Sequence, residues 1–429
     1  MRALSILFHS LTLTALGASL YIYYYTVFCG WKWKDSGTRI LFLADPQIEG
    51  DAKIAREGIR GEIDLLGNDI YIRHVYTSFV SPYSLFTHKP THTIILGDLF
   101  SSQWTNDQEF KKRVDRYKWI FGDPRGEYTH EFINLTGNHD IGYGSDMSRR
   151  RVDRWEREFG KTNFGGWIPS NSSSTSEGLI KAMSHRFAVI NSMNIDGPVS
   201  DEDLRSETWS FLNSLAEERE QNGYETPLIL LSHIPIYKKE GLCIDGPMNI
   251  LDYNGYIKEQ NFLSKNASEF ILTKLKPKFI FAGHDHEGCD ITHVVRIHDD
   301  DNRSLEAYRT SDFEIRKDDL IGQYNSEKIW VVREITVRSV MGGYEGNAGL
   351  FEIKSTITED GNKVFNYNYN SCPFVINHVP WVVLIMDIIV LLIFIFKLIY
   401  VGFINLYLSG ILGVIEKLKK FHKIYNKNR

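Results

Sequence analysis

Five short segments of the chain each place a potential metal-binding side chain directly after an apolar run. Arg39 to Ala44 closes on Asp45-Pro46-Gln47, Thr93 to Leu96 on Gly97-Asp98, and Glu131 to Leu135 on Thr136-Gly137-Asn138-His139-Asp140. Leu228 to Leu231 closes on Ser232-His233, and Phe279 to Ala282 on Gly283-His284-Asp285-His286. Carboxylate, amide oxygen and imidazole together suit Mn, Zn or Fe, whereas Ca alone would want more oxygens. Two divalent ions about 3.5–4 Å apart can clamp a phosphate, stabilise its developing charge and acidify a bridging water. Singly, each motif is weak, since Gly-Asp after a strand is more often a turn. Their succession, each closing an apolar run, points to phosphoester hydrolysis.

For these tips to act together, the runs must be buried strands whose carboxyl ends meet, as ligand-binding ends do in open α/β sheets. Helical stretches separate them. Ser148 to Phe159 and Asp201 to Gln221 have helix-like composition, the latter with acids early and Trp209, Phe211, Leu212 and Leu215 for an apolar face. After Gly288 the chain reads mainly as strands and loops, through Ile329 to Ser339 and Gly349 to Ile357. The fold class expected is α/β with mixed sheets.

The motif order resembles the calcineurin-like metallophosphoesterase superfamily, across about residues 39 to 290. The resemblance implies a β-sandwich flanked by helices (α/β/β/α) with two divalent metal ions, Mn foremost, at its strand ends. By position, Asp45 and His286 would hold the first metal, Asn138, His233 and His284 the second, and Asp98 would bridge both. His139 would face the substrate and protonate the leaving oxygen, with Asp140 orienting it or else serving as a turn cap. Two positions depart from the family pattern. Gln47 stands where a histidine is expected, so the first metal takes a weaker amide oxygen or loses a ligand, and Ser101 stands where many relatives carry Asp or Asn. Tyr143, Tyr344 and Asn347 lie in loops able to approach the site, or have ordinary surface or core roles.

The ends of the chain differ from its middle. Leu4 to Phe28 is uncharged and mostly apolar, long enough for the ~20 residues that cross a bilayer, with tyrosines and tryptophans crowding one end. It reads as a signal-anchor or, alternatively, a cleaved signal peptide. Val379 to Phe396 carries only Asp387 as a charge and should also span, while Val401 to Ile415 extends that helix, forms a second span or lies in the interface. Domains follow: 1–34 signal-anchor, 35–375 lumenal metallophosphoesterase domain, 376–415 C-terminal transmembrane region, and 416–429 a basic cytosolic tail. The chain carries a formal charge of −5, and setting aside the basic tail leaves the middle more acidic still. That excludes a general nucleic-acid binder, which needs a basic surface.

A lumenal middle segment fits the acceptor triplets at Asn171, Asn266 and Asn302; Asn134 also matches but abuts the site. Of Cys29, Cys243, Cys289 and Cys372, the middle two follow the histidine motifs, and either form a disulfide or are two unrelated buried residues.

Asp-Pro-Gln-Ile-Glu-Gly, Gly-Asn-His-Asp-Ile-Gly, Gly-His-Asp-His-x-x-Cys and the Pro82 to Phe86 stretch, together with the two membrane segments, look similar to an endoplasmic-reticulum branch of the superfamily. Members of that branch remove ethanolamine phosphate from mannoses of glycosylphosphatidylinositol (GPI) anchors. The likeness implies a phosphodiesterase in the endoplasmic-reticulum membrane, cycling to the Golgi, acting on the glycans of GPI-anchored proteins and meeting cargo receptors or transport proteins. The alternatives are a non-catalytic membrane adaptor on the same fold and a phosphatase for another phosphoester.

Overall fold

The computed structural model describes residues 2–28, 37–81, 89–122, 131–168, 185–243, 246–298, 303–321, 328–344, 346–359, 363–374 and 378–427. In chain order these form α1 (Arg2–Phe28), β1 (Thr38–Leu43), α2 (Asp51–Glu57), α3 (Ile59–Val80), β2 (His92–Ile95), α4 (Asp107–Phe121), β3 (Glu131–Asn134), α5 (Asn138–Ile141) and α6 (Arg149–Phe159). They continue through β4 (Phe164–Ile168), β5 (His185–Val189), α7 (Glu202–Gln221), β6 (Leu228–Leu231), β7 (Asn249–Leu251), β8 (Ile257–Gln260), α8 (Lys265–Phe270) and β9 (Phe279–Ala282). The remainder is β10 (Cys289–Ile297), β11 (Arg303–Arg309), α9 (Thr310–Ile321), β12 (Ile329–Thr336), β13 (Asn347–Ile357), β14 (Lys363–Pro373) and α10 (His378–Lys427).

The chain divides into two compact units, Met1–Tyr24 with His378–Arg429, and Tyr25–Asn377. In the first, Ser5–Tyr24 and His378–Ile424 are long and apolar enough to cross a membrane. Ser19 Oγ donates to Asp387 Oδ2 at 2.8 Å, and the Lys397 ammonium stands 3.4 Å from the Phe8 ring centroid. One contact moves back along α1 as the other moves forward along α10, so the two helices pair antiparallel. The segment after Val401 continues α10 without a break, one of the arrangements expected of it.

In the second unit, two sheets face each other, with strand orders β14-β13-β1-β2-β3 and β11-β10-β12-β9-β6-β5-β4 among the described residues. Alternation along each strand builds two cores at once. Ile40, Phe42, Ile94, Leu231 and Phe281 point between the sheets, where the Phe42 and Phe281 rings stack at 4.0 Å. Leu41, Leu43, Ile95, Leu228 and Leu230 point outward into a second core with Val75, Phe79, Val114, Tyr117, Leu212 and Leu215 of α3, α4 and α7. Each such aliphatic contributes about 1.5–3 kcal/mol on burial. The strands are therefore covered on both faces, which is why they read as unbroken apolar runs.

Parallel pairing of β1 with β2 and β2 with β3, and of β5, β6, β9 and β12 in the other sheet, turns all five motif-bearing ends the same way within each sheet. Past the strand ends the loops stay zipped: Gln47 N donates to Asp98 O at 2.9 Å and Ile48 N to Leu99 O at 3.0 Å. The Asp201 side chain caps α7 by accepting the Leu204 amide. Two features differ from the sequence reading. Helices α2 and α3 fill residues to which no element was assigned, and α9 interrupts the stretch after Gly288 expected to hold strands and loops.

Candidate metal centre

Asp98 lies at the middle of the assembled strand tips, 1% exposed. Its Oδ1 accepts the His139 backbone amide at 2.8 Å and lies 3.4 Å from His233 Nε2; its Oδ2 accepts from Gln47 Nε2 at 3.1 Å and lies 3.8 Å from His139 Nε2. The two carboxylate oxygens thus face opposite sides of the site, an arrangement that suits a ligand shared by two cations.

On one side stand Asn138, His233 and His284. His233 Nδ1 donates to the Leu96 carbonyl at 2.8 Å, so Nε2 keeps its lone pair, and that lone pair faces Asn138 Oδ1 at 3.1 Å as well as Asp98. Three acceptors converging without a proton between them repel one another unless a cation sits among them. Donor atoms of Asp98, His233 and His284 all lie within 4.8 Å of one another. The Gln260 backbone lies near the His284 ring, and the Leu96 carbonyl supports that of His233. This donor set fits a divalent ion.

On the other side stand Asp45, Gln47 and His286. Both Asp45 oxygens accept the His284 amide at 3.1 Å, and Gln47 Nε2 lies 3.2 Å from His286 Nε2 as well as bonding Asp98. Here the side-chain amide takes the place between the bridging carboxylate and the imidazole, so Gln47 sits in the site, presenting its nitrogen. Turning that amide over would offer Oε1 to a cation instead.

Backbone geometry marks the same residues. Asp45, Gln47, Asp98 and His284 all have positive φ, 51°, 41°, 49° and 71°. That conformation costs a non-glycine residue energy and gathers at functional sites. Glycines admit the close approach: at Gly137 a Cβ would stand 2.1 Å from Asp98 Oδ1, and at Gly97, with φ 92°, it would stand 2.5 Å from His233 Nδ1.

Electrostatics follows from burial. Burial pushes His233 below its ordinary range, His284 down to about 3 and His286 to about 4, so all three are neutral lone-pair donors at neutral pH. Burial, with the neighbouring Asp98 charge, pushes Asp45 and Asp140 well up. Asp98 is itself desolvated, yet its carboxyl lies below the usual range, where the His139 amide that it accepts helps to hold it.

His139 has its side chain 38% exposed, beside the centre and open to a substrate. Asp140 does not serve it. Its oxygens accept the Gly137, Leu99 and Phe100 amides at 2.8, 3.2 and 3.0 Å, fastening the Asn138 turn to the Asp98 loop. The turn-cap reading of Asp140 replaces orientation of the His139 ring, because its hydrogen bonds go to three backbone amides and none goes to that ring among the described residues. Ser101 Oγ accepts from Arg113 Nη1 at 3.0 Å. Tyr143 and Tyr344 pack edge-on against His284 and His286 at 6.3 and 4.5 Å, whereas buried Asn347 accepts from Ser371 Oγ of β14.

Cys243 and Cys289 are disulfide-bonded, tying the segment after His233 to the start of β10. Asn266 is exposed on α8, while Asn134 is buried and accepts from the Tyr117 hydroxyl. Cys29, the Cys372 side chain, Pro82 to Phe86, Asn171 and Asn302 lie outside the described residues. Sequence reasoning missed the Leu96 carbonyl and the Gln260 backbone, which carry no residue-type signal. It also missed Glu334, 1% exposed, which accepts the Ile236 amide and His293 Nε2 at 2.8 Å each and lies 3.6 Å from Lys238 Nζ. Glu334 thereby anchors the loop that leaves His233.

Comparison with known proteins agrees with this geometry. The calcineurin-like phosphoesterase family matches residues 38–288. Protein TED1 of Saccharomyces cerevisiae is 30% identical over 420 residues, covering 81% of this chain and 80% of its own. Metallophosphoesterase 1 of Danio rerio is 27% identical over 64% of this chain and 71% of its own, and Cell division control protein 1 of Saccharomyces cerevisiae 27% identical over 62% and 51%. With the motif residues gathered around Asp98 and the family match spanning the strands that carry them, the chain belongs to the calcineurin-like phosphoesterases and is a metal-dependent phosphoesterase.

Proposed function

We propose that this protein is a two-metal phosphodiesterase of the endoplasmic-reticulum membrane that removes ethanolamine phosphate from mannose of GPI anchors and so supports export of GPI-anchored proteins. The observation that carries the chemistry is the convergence of His233 Nε2, Asn138 Oδ1 and Asp98 Oδ1 on one side, with Asp98 Oδ2 turned to Gln47 and His286 on the other. Divalent ions held there would neutralise phosphate charge and acidify water. The chain itself supplies the rest. Asp98 and Asn138 fix the geometry through the Asp140-fastened turn, and the open His139 ring is poised to give a proton to the departing mannose oxygen.

Two apolar terminal helices would hold the site at a membrane, raising the effective concentration of a lipid-linked glycan. The Cys243–Cys289 disulfide and the exposed Asn266 triplet favour an oxidising, glycosylating lumen. Gln47 favours a second reading, a non-catalytic adaptor for cargo or transport proteins, since its amide occupies the first-metal side. An adaptor has no use for an open His139. The deciding experiment is mass spectrometry of GPI glycans from cells lacking the protein: retained ethanolamine phosphate is expected, and unchanged content overturns the substrate.

A further inference from the structure

Strand β8 reaches the metal centre from outside it. Gln260, its last residue, brings its backbone close to the His284 ring and the Tyr143 hydroxyl. With β7 it forms a separate antiparallel ribbon. Both ends of β8 are tied down: Ile257 N, next to the tip, donates to Ser145 Oγ at 2.9 Å, and Gln260 Nε2, at the base, to Asp196 Oδ1 at 2.7 Å.

The tip is equally well fixed. Asp252 Oδ1 accepts the Asn254 and Tyr256 amides at 2.8 and 2.9 Å, and Asp252 N donates to Tyr256 O at 2.8 Å. This ordered turn nevertheless holds its large side chains in solvent, with Tyr253 97% and Tyr256 51% exposed. Rings held in solvent by an ordered turn are available to a ligand at little further cost in ordering.

We propose that the β7–β8 hairpin is a glycan subsite, in which Tyr253 and Tyr256 pack against the C–H faces of sugar residues lying beyond the one that carries the scissile phosphate. The inference rests on the glycan reading above. A tyrosine ring offers an apolar face and a polar rim with few rotatable bonds, which matches a pyranose in both respects. Four residues of β8, at about 3.3 Å each, set the tip roughly 13 Å farther along the ribbon than Gln260, a reach that suits an oligosaccharide better than a lone phosphate group. Exposed Lys258 and Glu259 beside the tyrosines argue against insertion of the tip into a bilayer.

The test uses the full-length protein in detergent micelles. Its substrates are a lipid-free synthetic mannose oligosaccharide bearing an ethanolamine phosphodiester, and bis(para-nitrophenyl) phosphate. Tyr253→Ala with Tyr256→Ala should lower kcat/KM for the glycan relative to the small diester by about tenfold, mainly through KM, and Tyr253→Phe with Tyr256→Phe should restore most of it. An unchanged ratio overturns the subsite; so does an equal fall on both substrates, which would make the hairpin a support for His284 alone. Wild-type protein that cleaves the small diester but not the glycan would overturn the glycan reading, and the subsite with it.

Discussion

Gly137→Ala isolates the contact that holds the bridging carboxylate. Gly137 has φ −119°, a backbone conformation alanine adopts freely, so the substitution acts through one added methyl group. That methyl would stand 2.1 Å from Asp98 Oδ1, 2.3 Å from Asp98 N and 2.8 Å from Asp98 Cγ. Ordinary contact begins at 3.4 Å, so the carboxylate must retreat by 3.4 − 2.1 = 1.3 Å. Rotating the side chain does not suffice, because the Asp98 amide is struck as well. Displacing a reacting group by about 1 Å costs on the order of 10²-fold in rate, and overpacking costs about 1–3 kcal/mol of stability. The assay is kcat/KM on bis(para-nitrophenyl) phosphate with added Mn, beside a urea unfolding curve to show that the variant is folded. Gly343→Ala, where nothing lies within 4 Å of the added methyl, is the control. Wild-type turnover by folded Gly137→Ala protein would refute the claim that this close approach positions Asp98 for catalysis.

Other outcomes follow from the same geometry. Asp45 has a raised pKa, so an ion on its side must displace a proton once pH falls below that raised value, whereas His233, His284 and His286 stay proton-free down to acid, the last two to about 3 and about 4. As pH falls from neutrality, elemental analysis should show the Asp45-side ion lost before the one on Asn138, His233 and His284; simultaneous loss would contradict this. Cys243→Ser opens a link spanning 46 residues and should cost about 4 kcal/mol, read from urea midpoints, with the difference abolished by reductant. Glu334→Ala strands the buried Lys238 ammonium and should cost about 3–5 kcal/mol, an expectation that an unshifted unfolding midpoint would defeat.

What could be read from the sequence was what side-chain type encodes. The five motif-bearing strands were legible because burial on both faces makes them unbroken apolar runs, and a polar residue marks each end. The membrane-length helices were legible because both are long apolar runs. Helices α2 and α3 were not, because Ile59, Ile63, Leu66 and Ile70 put an apolar stripe of α3 toward solvent and glycines interrupt its pattern. Asp140 was misread in part, since nothing in Gly-Asn-His-Asp says whether the last carboxylate faces a ring or three amides. The groups beside the His233 and His284 rings are backbone groups of Leu96 and Gln260, and any residue at those positions would provide them. Gln47 stands where the family pattern has a histidine, and only coordinates reveal its amide lying between Asp98 and His286.

The central claim is that Asp98 is shared by two cations. Anomalous diffraction from crystals of the protein equilibrated with Mn tests it directly. One peak is predicted about 2 Å from His233 Nε2 and Asn138 Oδ1, and a second about 3.5–4 Å away on the Asp45 and His286 side, with Asp98 between them. Saturating Mn with no peak beside Asp98, or with peaks only at other residues, would contradict the account.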